Sequence, residues 1–128
     1  MDYDKFISAK EVEIGGRKFA ISKIPSIEAV ESVYPAVAKS VQMHGILGVT
    51  MLDFNIIRTM LKYTALRLDS GAWHPLDIDT RISDTFDGKF KDLQMLVVAI
   101  VKENFGFLMD GNLHEVLGLR EADQVSDS

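Results

Sequence analysis

Two glycines, Gly15 and Gly16, sit between short runs in which apolar and polar residues alternate. Before them, Val12 and Ile14 alternate with Glu11 and Glu13; after them, Phe19 and Ile21 alternate with Lys18 and Ala20. A two-residue glycine connection allows positive φ at both turn positions, as a tight hairpin needs. Residues 11–14 and Arg17–Ile21 are therefore predicted to form a β-hairpin with one apolar face. An isolated hairpin is marginal in water, so helices must cover that face. A phosphate loop is excluded at Gly15-Gly16 because no helix with Lys-Ser/Thr follows.

The rest of the chain reads as helices. The first is predicted to open at Ser26 as N-cap, with Glu28 in its first turn. Its apolar stripe is Val30, Val33, Tyr34, Val37, Ala38 and Val41. Pro35 falls inside this pattern and is expected to kink or divide the helix on its polar side. Gly45 and Gly48 punctuate a loop through Thr50. A second helix is predicted over residues 53–69, with Phe54, Ile57, Met60, Leu61, Thr64 and Leu68 on one face. Tyr63 and Leu66 fall off that stripe.

Residues 72–88 have no decisive period and are predicted to be a loop with one short helix, its apolar residues anchored in the core. Trp73 is expected to be packed, as lone tryptophans usually are. A third helix over residues 89–104 carries Phe90, Leu93, Leu96, Val97, Ile100 and Val101 on one face, with Met95 and Val98 pointing away between Lys91 and Lys102. Asn104 lies in the middle of the apolar face. Either it finds hydrogen-bond partners there, or the helix ends there and Asn104 helps to cap it; the second is the expectation. Residues 113–117 read as one more turn.

The fold class is thus α+β, an N-terminal β-hairpin packed on a small bundle of about three main helices. Residues 1–9 form an N-terminal tail, 10–119 a single domain and 120–128 a flexible C-terminal tail. At 128 residues the chain is long enough to bury a core without staples.

Familiar chemistry is missing. There is no cysteine, which removes disulfides, thiolate chemistry and Cys-containing zinc modules. His44, His74 and His114 are far apart and form no metal motif. Asp77 and Asp79 resemble the start of a calcium loop, but Arg81 occupies the third ligand position and Ile82 the place of the glycine. Asp77, Asp79, Asp84 and Asp87 are expected to be solvated loop acids. No nucleophile elbow, Walker loop or dinucleotide fingerprint is present. A net charge of −5 without a basic run disfavours nucleic acid. No apolar stretch reaches membrane-spanning length and no secretory signal is visible, so a soluble cytosolic protein without cofactor or metal is expected.

Three segments carry a resemblance: KEVEIGGRKFAISKI from Lys10 to Ile24, SGAWHPL from Ser70 to Leu76, and LQMLVVAIVKENFGFL from Leu93 to Leu108. In this order they resemble the tail assembly chaperones of long-tailed bacteriophages, which open with a glycine-turned hairpin followed by a small helical domain. The most specific part is the Gly-Trp segment followed by Glu103-Asn104-Phe105-Gly106. The resemblance implies a non-catalytic protein of the host bacterial cytoplasm that coats the helical tape measure protein and recruits tail tube protein. It carries over no contact residues.

From the residues alone, the candidate protein-binding surface is Tyr63, Leu66, Met95 and Val98, apolar positions off the core stripes. The partner can equally be a second copy, giving a homo-oligomer. Two other readings are a structural tail or connector subunit of the virion, and an enzyme with an unrecognised site.

Overall fold

The computed structural model describes Phe6 and residues 9–109, the side chains of residues 107–109 excepted. The predicted turn at 113–117, the C-terminal tail, His114 and most of the N-terminal tail lie outside the described residues.

The hairpin forms as its sequence dictates. Strands β1 (Lys10–Ile14) and β2 (Arg17–Ile21) pair antiparallel with Ile14 opposite Arg17, and Gly15 and Gly16 adopt φ of 61° and 80°. Both values lie in the left-handed region that glycine enters without steric cost. Gly15 meets a second demand: a Cβ there would stand 2.3 Å from the Asp92 carboxylate.

The hairpin is half of a larger sheet. β3 (Thr64–Arg67) pairs antiparallel with β2, and β4 (Trp73–Pro75) with β3, giving the order β1-β2-β3-β4. The α+β class holds, but the predicted helix over residues 53–69 is corrected. Helix α3 (Phe54–Leu61) starts where expected, with Asp53 accepting from the Asn55 N–H at 2.8 Å, and stops eight residues early. A hairpin alone would leave the second edge of β2 open. The run from Thr64 satisfies it, and Ser22 N–H to Tyr63 O at 2.9 Å extends the ladder. The helical and strand periods compete over such a short apolar run, and the long-range pairing decides.

The register divides the sheet into two faces. Ile14, Phe19, Ile21 and Leu66 point inward and are buried. The helical layer covers them, with Phe19 stacked on Phe86 at 5.7 Å between centroids. On the opposite face Ala20 and Ala65 are cross-strand neighbours, small enough for the Phe6 ring to lie over them beside Trp73. Phe6 belongs to the stretch read as a tail, yet it is buried. Trp73 is packed, as expected, and the Arg67 guanidinium lies over its ring.

The first helical run comprises α1 (Ser26–Glu28), a π turn (Ala29–Val33) and α2 (Tyr34–His44). Ser26 is not the cap: Pro25 occupies that position, with no side-chain hydrogen bond. Pro35 acts through the π turn. Its ring would collide with the Glu31 carbonyl in a regular α-helix, and the wider turn just before it, closed by Tyr34 N–H to Ala29 O, relieves that conflict. One extra residue in the turn shifts the stripe by one position. Ala29 packs on the core where Val30 was expected, and Val30 is 71% exposed.

Past α2 the chain folds back as a 3₁₀ segment (Gly45–Met51) lying against α2 and the long C-terminal helix. The close approach is possible because residue 48 is glycine: a Cβ there would fall 2.1 Å from the Ser40 carbonyl oxygen. The segment of residues 72–88 contains the expected short helix, α4 (Asp79–Phe86), which sends Ile82 and Phe86 into the core. The C-terminal helix α5 (Phe90–Met109) buries Leu96, Val97, Ile100 and Val101. Phe90, predicted on that face, is exposed at the helix start.

Helix α5 does not end at Asn104; its backbone departs from helical geometry at Phe105 (φ −137°, ψ 42°) and then resumes. Asn104 takes the other predicted course. Its Oδ1 accepts from the Ile24 N–H at 2.9 Å and its Nδ2 donates to the Ile100 carbonyl at 3.0 Å. Beside it, Lys23 Nζ donates to the Glu103 carbonyl at 2.7 Å and pairs with its carboxylate at 3.3 Å. Phe105 then meets Tyr34 edge-on at 5.5 Å.

Two substitutions test these constraints by denaturant unfolding. Gly48→Ala is expected to cost about 1–3 kcal/mol, because backbone rather than a flexible side chain must yield. Asn104→Ala is expected to cost about 1–3 kcal/mol by leaving the part-buried Ile24 N–H without its acceptor.

Candidate protein-binding surface

The four residues singled out from the sequence separate into two pairs. Leu66 is not on a surface: it sits mid-strand in β3, 8% exposed, opposite Phe19 in the core. It fell off a helical stripe because the segment is not helical. Tyr63, just before β3, is half-buried against the core, and its hydroxyl donates to the Glu28 carboxylate, which Lys62 Nζ also contacts at 3.0 Å. Its ring and hydroxyl thus tie α3 to the first helical run.

Met95 and Val98 do face outward from α5. Met95 is 48% exposed, and Val98 is half-buried with its inner side on the core. With Thr50, Lys91 and Gln94 they line a shallow, mostly apolar depression of about 330 Å³. Thr50 belongs to the 3₁₀ segment, whose hydroxyl is turned back to the Leu47 carbonyl at 2.7 Å. The depression therefore lies at the seam between α5 and the 3₁₀ segment.

The elements that meet at this seam carry exposed apolar residues that the sequence reading passed over. Met43 on α2 and Ile46, Leu47 and Met51 on the 3₁₀ segment are all exposed, Leu47 by 71%. The reason is local: Gly48 and Val49 turn inward against α2, and the residues around them are driven outward. A signal was present in the sequence. Residues 45–51 contain four large apolar side chains and no charge, which is unusual for a solvated loop. Methionine, unbranched and polarizable, suits a surface that must fit varied apolar shapes.

The acidic segment has a different character. Asp79 and Arg58 form a two-pronged pair at 2.8 and 3.0 Å, and Asp77 accepts from Arg81 at 2.7 Å. Hydrogen bonding to Arg58 holds the Asp79 carboxyl below its ordinary value, and the same bond raises the Arg58 guanidinium. Both groups are exposed. A depressed carboxylate favours the folded state above its unfolded pKa, and that contribution fades as pH falls through the folded value. No group of three or more potential metal ligands occurs among the described residues. No helix among them is long and apolar enough to cross a membrane.

Comparison with protein-family models, with curated proteins and with solved structures finds no match to this chain.

Two measurements separate core from surface. Leu66→Ala is expected to destabilise by about 2–5 kcal/mol, as a buried leucine truncation does, whereas Met95→Ser is expected to stay within about 0.5 kcal/mol of the parent. In a carboxyl-detected NMR titration, Asp79 should show its midpoint below the ordinary aspartate range, and Arg58→Gln should return it there.

Proposed function

We propose that the protein works by holding a partner protein, and that the partner docks as an amphipathic helix on the corner formed by α2, the 3₁₀ segment and α5. The observation that carries this reading is that the elements meeting there carry exposed methionine, leucine and isoleucine, namely Met43, Ile46, Leu47, Met51 and Met95. Full burial of one such side chain stabilises a complex by about 1.5–3 kcal/mol. Several together offset part of the cost of association. A shallow apolar depression flanked by adaptable side chains suits a helix lying in a groove.

The resemblance in sequence order to tail assembly chaperones gives this reading its client. The tape measure protein is long and helical, and its apolar stripes need cover before tail tube protein surrounds it. On this reading the protein acts without cofactor or catalysis in the host bacterial cytoplasm and leaves before the particle is complete.

Co-expression with a tape measure protein, followed by co-purification, tests the proposal. Rescue of that protein's solubility is the expected result. Leu47→Glu should weaken the association at least about tenfold while leaving the thermal midpoint within a few degrees of the parent. Absence of association when both proteins are folded would sink the reading. Presence of this chain in purified virions at fixed stoichiometry would favour a structural subunit instead.

A further inference from the structure

The docking corner carries charge as well as apolar surface, and the charges follow a pattern. Along α5 the outward positions are Lys91, Met95, Val98 and Lys102, spaced four, three and four residues apart. At 100° per residue these four fall within about 60° of arc, so they form one stripe along the helix. Its centre is apolar and its two ends are cationic. Their separation of eleven positions places the lysines about 16 Å apart along the axis.

Neither lysine is satisfied among the described residues. Both are exposed, and among the described residues neither has an ion pair or a side-chain hydrogen bond. This is not for want of acids nearby. Asp92 follows Lys91 directly but is turned to Arg17 at 3.6 Å, against Gly15 of the hairpin. Glu103 follows Lys102 directly but is turned to Lys23 at 3.3 Å. Each neighbouring carboxylate is engaged on the sheet side of α5, and each lysine is left facing out. In a chain of net charge −5 this gives a local basic frame around an apolar strip.

We propose that this stripe selects its partner by charge: it binds an amphipathic helix whose apolar face is flanked by acidic residues about three helical turns apart. The inference rests on the docking reading above and adds the partner's chemistry to it. Met95 and Val98 would take the apolar side chains, and Lys91 and Lys102 the carboxylates at either end. Rim charges of this kind set specificity, encounter rate and salt dependence.

The test uses the full chain and two synthetic amphipathic peptides of about 18 residues. Both have the same leucine stripe; one carries glutamates eleven residues apart at its flanks, the other lysines. Titrations follow peptide fluorescence anisotropy. The glutamate peptide is expected to bind about tenfold tighter at low salt, an advantage largely lost near about 0.5 M salt. The double variant Lys91→Glu/Lys102→Glu, with unchanged circular dichroism, is expected to reverse the preference. Equal binding of both peptides, unchanged in the double variant, overturns the charge selection. In that case Met95→Glu reports on the underlying reading: loss of both peptides retains the docking surface, and unchanged binding removes it as well. If neither peptide binds but phosphatidylglycerol vesicles sediment the protein, the basic frame serves a lipid surface and the proposal fails. Binding to none of these probes also overturns it.

Discussion

The architecture turns on one side-chain amide. Asn104 sits on the buried side of α5 and bonds in two directions, to the Ile100 carbonyl behind it and to the Ile24 N–H across from it. Ile24 is where the chain leaves the sheet for the helical layer, and Pro25, with no N–H of its own, follows at once. A part-buried donor at such an exit must be satisfied by something outside the local chain. Asn104 supplies the acceptor, and Lys23 fastens the same exit to Glu103. Residues eighty positions apart are thereby joined, fixing the direction in which the first helical run departs. Phe105, at the break in α5, then receives Tyr34 from that run. The Glu-Asn-Phe-Gly segment that stood out in the sequence thus has a structural task, independent of any partner.

Some of this was legible in the residues and some was not. The hairpin was legible because its turn requires positive φ twice and glycine stands at both positions. The buried stripe of α5 was legible because Leu96, Val97, Ile100 and Val101 repeat at a spacing that only a helix brings together. β3 was not. Thr64 continues the spacing of Met60 and Leu61, so local pattern favoured more helix, while the demand of the open edge of β2 comes from residues far away in sequence. The misplacement of Leu66 as a surface residue follows directly from that one choice of period. Val30 failed for a subtler reason. Pro35 reads as a disturbance, but a π turn rather than a kink absorbs it, and the stripe slips at the start of that turn, from Val30 to Ala29.

The candidate surface shows how backbone constraints generate exposed apolar residues. A loop is free to hide its apolar side chains unless something pins it. Here Gly48 lies so close to the Ser40 carbonyl that no side chain fits between them, and the 3₁₀ segment is held flat on α2. Val49 takes the available space in the core, leaving Ile46, Leu47 and Met51 nowhere to go but outward. The sequence offered a hint in the missing charges of residues 45–51. It could not show that Thr50 of this segment would meet Met95 and Val98 at one seam, because that juxtaposition is a product of the fold.

The two sides of α5 are linked through its acids. Asp92 and Glu103 carry the charge that neutralises Arg17 and Lys23, and both bonds hold the sheet and its exit against the helix. Adjacent helical positions point about 100° apart, so Asp92 and Glu103 stand off the stripe of Lys91 and Lys102 and do not mix its charge. Engaging the acids inward therefore does two things with one pair of residues. It ties the hairpin and its exit to the helical layer, and among the described residues it leaves Lys91 and Lys102 as the only formal charges on the stripe that carries Met95 and Val98. Replacing Asp92 or Glu103 would leave Arg17 or Lys23 without its carboxylate and loosen that contact, while Lys91 and Lys102 keep the sign of the outer face.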